Sequence, residues 1–232
     1  PTFVSSFEND LRCGSFQGMS KELRKNIAYS LQYLQYIQLQ MEEVHLHEII
    51  ATHLLKTYII TAMGIIEGVF YHLVKTNGCQ KKTDWATQGK PIHTNTFKEL
   101  DVEKKHIITT EYKLKSPQDV QMDFEYMINK VQEKKLVSLT HHAFPHIKAL
   151  KKLRNKVHLH VTTHEDDTDY NEIGFYDYIL ARYILYLVLT DKTFSPQKQS
   201  SYFSFIMPSP KQITGLKEYL SKSKEADTDG QA

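Results

Sequence analysis

A run of apolar residues at steps of three and four, Leu23, Ile27, Leu31, Leu34, Ile37, Met41 and Val44, constrains this chain more than any other feature. Only a helix gathers such a series on one face; a strand would scatter it to both sides. Ser20 stands where an N-cap belongs. Tyr29, Tyr33 and Tyr36 lie beside the stripe. Its first use is a core face, and its second is a helix–helix contact with another copy. A second stripe follows with little punctuation, from about 47 to 75: Ile50, Leu54, Tyr58, Met63, Ile66, Phe70 and Leu73. Asn77-Gly78 supplies its stop. This is the most apolar part of the chain, but His53, Lys56, Glu67 and His72 within it argue against a membrane span and for a buried helix. Glu67, set among Ile65, Ile66, Val69 and Phe70, is expected on the polar side or in an internal pair.

The other segments fill in around these two helices. Residues 1–19 lack a period and read as an arm that packs Phe3, Val4, Phe7 and Phe16 on the core. Residues 78–116 turn polar and irregular, with Lys105–Leu114 the best strand candidate. Ser116-Pro117-Gln118-Asp119 has the form of a helix start, with Val120, Phe124, Met127, Ile128 and Val131 facing inward as far as Lys134. Pro145 places the next helix start near Phe144, and Ile147, Leu150, Leu153 and Val157 carry its stripe to about His160. Asp169-Tyr170-Asn171-Glu172 offers a capping box for a buried helix running to about Asp191. Tyr202–Ile206 suggests a short strand, and 211–221 a short helix. The expectation is a mainly α protein, a bundle of about five helices in one domain over 1–220. The irregular insertion at 78–116 has room for a short β-hairpin, and a disordered polar tail follows over 221–232.

Composition narrows the function classes. A net charge of +2 over 232 residues does not by itself announce a nucleic-acid binder, so local clustering has to carry that argument. Cys13 and Cys79 form no C-x-x-C pair and no disulfide framework, which fits a reducing, cytoplasmic setting. The N-terminal stretch lacks the basic-then-apolar order of a secretion signal. His45, His47 and His53 miss the spacing of a zinc-protease helix, and His141-His142 has no carboxylate at ligand spacing. No phosphate-cradling glycine loop, nucleophile elbow or dinucleotide fingerprint is present.

Chemistry concentrates in one place, Lys151-Lys152-Leu153-Arg154-Asn155-Lys156-Val157-His158-Leu159-His160. Arginine presents a planar fork of donors that fits phosphate oxygens, and histidine exchanges a proton near neutral pH. An amide such as Asn155 can orient either one. These groups suit phosphodiester cleavage without a metal. A base takes the proton of a ribose 2′-hydroxyl, that oxygen attacks phosphorus, and a cation stabilises the charge that develops. In a straight helix Arg154 and His160 lie about 240° apart, whereas His158 lies about 40° from Arg154. A bend near His160, or two copies of the segment facing each other, would bring the pair together.

Arg154, Asn155, four residues and His160 resemble the signature of the HEPN superfamily, the nucleotide-binding helical domains of higher eukaryotes and prokaryotes. The order of long early helices, motif at the end of a later helix, and a further buried helix is similar as well. The resemblance covers 120 to 150 residues in rough terms and leaves out the insertion and tail. It implies a metal-independent endoribonuclease whose product carries a 2′,3′-cyclic phosphate. It also implies a homodimer with a composite active site, a place in toxin–antitoxin or anti-phage defence, and an antitoxin or regulatory partner. Arg154 and His160 would be catalytic with Asn155 supporting them, while Lys151, Lys152, Lys156 and His158 would hold RNA. No cofactor or metal is expected. Two other readings stand beside it. One is a non-catalytic HEPN-like module for nucleotide or RNA binding or for dimerisation. The other is a metal-dependent nuclease using His164 with Glu165, Asp166 and Asp167. A solvated cationic helix end is the structural alternative to all three.

Overall fold

The computed structural model describes residues 2–99, 102–155, 173–194 and 202–229. Among the described residues seven α-helices run in the order α1 Val4–Asp10, α2 Lys21–Glu43, α3 Glu48–Thr76, α4 Phe124–Glu133, α5 Ala143–Asn155, α6 Phe175–Leu189 and α7 Pro210–Asp229. Two strands, β1 Lys82–Glu99 and β2 Val102–Asp119, fall between α3 and α4. The chain forms two compact units, residues 78–123 and the helical remainder. The protein is thus mainly α with one two-stranded antiparallel sheet.

The helical unit is built around α3, which packs against α2, α4, α5 and α6. Tyr58, Ile59, Met63, Ile66, Val69, Phe70 and Val74 of α3 are buried almost completely. α3 is long and apolar enough to cross a membrane by length and composition alone; in this fold its C-terminal two-thirds is the core of the bundle. Ile49 and Ile50 in its first turn stay exposed, so the apolar face expected from Ile50 onward begins only later. α2 starts as its sequence suggests: Ser20 Oγ accepts a hydrogen bond from the Leu23 backbone N–H at 3.2 Å. Ile27, Leu31, Leu34 and Ile37 are buried, while Val44 is exposed beyond the helix end. Tyr29, Tyr33 and Tyr36 point to solvent.

The first nineteen residues are more ordered than a loose arm. α1 buries Phe7, and a 3-10 turn over Gly14–Phe16 buries Phe16. Phe16 stacks on Phe194, with ring centroids 3.8 Å apart. Gly14 has φ +53, and a Cβ there would lie 2.8 Å from the Phe194 carbonyl carbon, so glycine alone fits. His72 Nε2 bonds Ser15 O at 2.6 Å and ties this turn to α3. Phe3, expected in the core, is exposed.

Two local expectations give way to longer-range contacts. Ser116-Pro117-Gln118-Asp119 does not begin a helix. Gln118 and Asp119 pair with Thr83 and Lys82 at the base of the ribbon, and α4 begins later, at Phe124. Pro117 is tolerated because Leu114–Pro117 lie between the pairs Trp85↔Lys113 and Thr83↔Gln118, in a bulge that needs no ladder N–H. Of the expected inward set, Phe124, Met127, Ile128 and Val131 are buried as their spacing requires, while Val120 lies ahead of the helix and is half-buried. Tyr202–Ile206 is not a strand: Ser204–Ile206 is a 3-10 turn that buries Phe203 and Ile206, three positions apart. α6 is capped at Gly174, whose N–H donates to Asp177 Oδ2 at 2.9 Å. The capping box expected at 169–172 lies outside the described residues. α7 extends to Asp229, well beyond the short helix expected at 211–221.

Among the described residues, Lys56 and Arg182 are buried cations. Arg182 of α6 is only 4% exposed. Its Nε donates to Ile206 O at 3.1 Å, and its Nη2 to Phe205 O at 3.0 Å and Met207 O at 3.3 Å. This fork explains why the 203–207 segment turns: its carbonyls face the guanidinium rather than a neighbouring strand.

Candidate nucleic-acid interface

The described part of the basic segment, Lys151–Asn155, closes α5, where Ile147 and Leu150 anchor the helix in the core. With that face turned inward, the lysines and Arg154 fall on the flanks. Arg154 reaches across to α3, and its Nη2 lies 2.7 Å from Glu67 Oε2. Both side chains keep roughly 30% of their surface exposed, at 31% and 28%. The guanidinium also sits 5.8 Å above the Phe124 ring at the start of α4, within cation–π range. Of the two places open to Glu67 in the sequence, the polar side of the helix or an internal pair, the structure gives a partly exposed pair with Arg154.

A second charge centre lies one turn back. Glu125 of α4 receives Lys151 Nζ at 2.7 Å and Lys148 Nζ at 3.1 Å. Lys148 and Lys151 are three residues apart and share a side of α5, so one carboxylate serves both. The hydrogen bonds from Lys151 and then Lys148 hold the Glu125 carboxyl below its ordinary range. Two acids thus neutralise much of the positive charge on this helix flank. Lys152 and Asn155 are exposed.

The expected site residues divide accordingly. Arg154, Asn155, Lys151 and Lys152 are on α5. Arg154 and Lys151 are engaged with acids of α3 and α4. Lys156, His158 and His160 lie outside the described residues, as do His164, Glu165, Asp166 and Asp167. Among the described residues no three His, Cys, Asp or Glu side chains come together as a metal site. His45, His47 and His53 are exposed on and before α3.

Chemically, the pair leaves Arg154 able to act. One ion pair uses one edge of a fork that carries five N–H donors. A carboxylate at 2.7 Å fixes the plane of the guanidinium, and the exposed remainder of the fork is open to a phosphate oxygen. Glu125 escaped the sequence reading. Its only signal was an acid in the first turn of α4, and nothing local places that turn beside Lys148 and Lys151.

The helical unit also holds cavities. One of about 420 Å³ lies between α6, α7 and the start of α5. Another of about 610 Å³ is lined by residues around the α2–α3 connection together with Tyr178 and Arg182.

No protein-family model, curated protein or solved structure matches the chain. The functional reading therefore rests on the residues themselves.

Proposed function

We propose that this protein is a metal-independent endoribonuclease of HEPN type, working as a homodimer that joins two copies of the Arg154–His160 segment in one cleft. The observation that supports the reading is Arg154, held by Glu67 at 2.7 Å and still partly open to solvent at the end of a lysine-rich helix. In this reading Arg154 binds the scissile phosphate and stabilises the charge that grows on it, and His160 moves the proton to or from the ribose 2′-oxygen. Asn155 orients them. Lys151, Lys152, Lys156 and His158 hold the RNA backbone, which makes binding fall with added salt. Toxin–antitoxin or anti-phage work in the cytoplasm, under an antitoxin or other regulatory partner, is the setting proposed for such an enzyme.

The test is RNA cleavage in excess chelator by the parent, Arg154→Ala and His160→Ala. Cleavage by the parent that leaves 2′,3′-cyclic phosphate ends, with each variant at least about 100-fold slower, is the expected result. Equal cleavage by His160→Ala would overturn the mechanism.

A second reading has its own support. Glu67 and Glu125 already neutralise Arg154, Lys148 and Lys151, as a structural helix flank requires. On that reading the protein is a non-catalytic module for RNA or nucleotide binding or for dimerisation. It would bind RNA with no cleavage and no dependence on His160.

A further inference from the structure

The outward face of α2 is aromatic where a solvated helix face is charged. Tyr29, Tyr33 and Tyr36 fall within about 60° of one another around the axis, opposite the buried stripe. Each leaves about half of its surface to solvent. The Tyr33 and Tyr36 rings are 17° from parallel with centroids 6.5 Å apart, so this part of the face is already arranged. Phe3 extends it. The Thr2 N–H donates to Gln35 Oε1 at 2.7 Å, and Gln32 Nε2 donates to Thr2 O at 3.0 Å. These bonds clip the residue before Phe3 onto the flank of α2, and Phe3 itself stays 78% exposed. Together the four rings offer about 450 Å² of surface. That matches the largest patches monomers carry, which are often interaction sites.

The charges along this face decide what covers it. Lys21 and Lys25 stand at its start, with Glu22 between them, and Glu42 and Glu43 stand at its end. The polar groups in between, Asn26, Gln32 and Gln40, are uncharged. A nucleic-acid backbone needs cations along its whole track, and here they stop at one end with acids at the other. A second α2 laid antiparallel meets both ends with the opposite sign. With a two-fold axis near Leu34, Tyr33 of each copy faces Tyr36 of the other, Tyr29 faces Gln40, and Lys25 faces Glu43. Glu22 falls past the end of the opposing helix. The same arrangement sets the two helix dipoles head to tail. Over both copies the rings supply up to about 900 Å², and Lys25, Gln32, Gln40 and Glu43 bring the total to the roughly 1,200 Å² at which specific interfaces begin.

We infer that this face is an interface between two copies of the chain, an antiparallel α2–α2 pair with an aromatic centre and a Lys25–Glu43 ion pair at each end. The pairing uses no residue of the 151–160 segment and stands whether or not the protein cleaves RNA.

Sedimentation equilibrium of the full chain from about 1 to 200 µM tests it. The parent should show a monomer–dimer equilibrium in the micromolar range. The double variant Tyr33→Glu/Tyr36→Glu, at exposed positions, should stay monomeric throughout with its helical circular dichroism retained. Lys25→Glu and Glu43→Lys should each weaken the dimer about tenfold or more. An equimolar mixture of those two single variants should associate about as tightly as the parent, because an all-negative face then meets an all-positive one. A parent that stays monomeric would overturn the inference, and if its RNA binding also fell on Tyr33→Ala the face would belong to base stacking instead. A dimer that survives Tyr33→Glu/Tyr36→Glu would overturn it too, and would leave the proposed pairing of the Arg154–His160 segments intact. So would a mixture that fails to recover.

Discussion

Arg154 Nη2 and Glu67 Oε2 lie 2.7 Å apart and join the end of α5 to the middle of α3. A partly exposed pair of this kind contributes about 0.5–1 kcal/mol to stability. Its larger effect is positional, because it sets the plane of the one arginine in the basic segment. Glu67→Gln should therefore shift a urea unfolding curve by under about 1 kcal/mol. If Arg154 works on RNA, the same variant should slow single-turnover cleavage about tenfold or more. A variant that slowed nothing while Arg154→Ala abolished cleavage would separate the arginine from its partner.

Arg182 is a stronger anchor. Replacing it with Leu removes three hydrogen bonds and leaves the carbonyls of Phe205, Ile206 and Met207 without their buried donor. A loss of about 3 kcal/mol is expected in denaturant unfolding. Tyr58, beside it, gives the contrast. Its buried hydroxyl lies near the Arg182 guanidinium without making a hydrogen bond of ordinary geometry, so Tyr58→Phe should cost under about 1 kcal/mol.

Asp191 gathers three donors with one buried carboxylate, and two of those donors are backbone N–H groups. Asp191→Ala should destabilise the chain by about 2–3 kcal/mol. Hydrogen exchange at the Ser138 and Thr193 amides should report the loosening first.

Asp10 gives the chain a measurable pH dependence. Burial pushes its carboxyl up to about 6 from the ordinary 3.8. Between those values the folded chain holds a proton that the unfolded chain releases, so this group's contribution is complete below pH 4 and is lost as pH rises through about 6. Asn mimics the protonated form. Asp10→Asn should therefore gain about 1 kcal/mol at pH 7, after discounting for solvent screening, and nothing at pH 4. Equal gains at both pH values would show that the effect is packing and not titration.

What the sequence disclosed follows the range of the forces involved. The start of α2 is written locally, in Ser20 and the stripe behind it; the cap stands as read, and so does the buried run Ile27–Ile37, though not the stripe's last member, Val44. The burial of Phe124, Met127, Ile128 and Val131 was legible from spacing alone. The start of α4 was not, because Ser116 and Pro117 carry a sound helix signal that strand pairing with Lys82 and Thr83 outweighs. The 203–207 turn was hidden for the same reason, since its shape answers to Arg182, some twenty residues earlier in the chain. At the candidate site, the sequence left Glu67 either on the polar side of α3 or in a pair, and its partner Arg154, far along the chain, had no local signal. Glu125, the acid between two lysines, depends on α4 and α5 meeting side by side, and no local pattern encodes that.

The buried guanidinium of Arg182 has one more effect. An arginine keeps its proton across any pH a protein meets. The carbonyls that it holds are equally insensitive to acid or base. The stitch between α6 and the 203–207 turn is thus blind to acidity, while the Asp10 corner is not. As pH rises through 6 the strain should build at the Asp10 corner and leave the Arg182 stitch unchanged, giving the molecule one acid-responsive joint and one indifferent one.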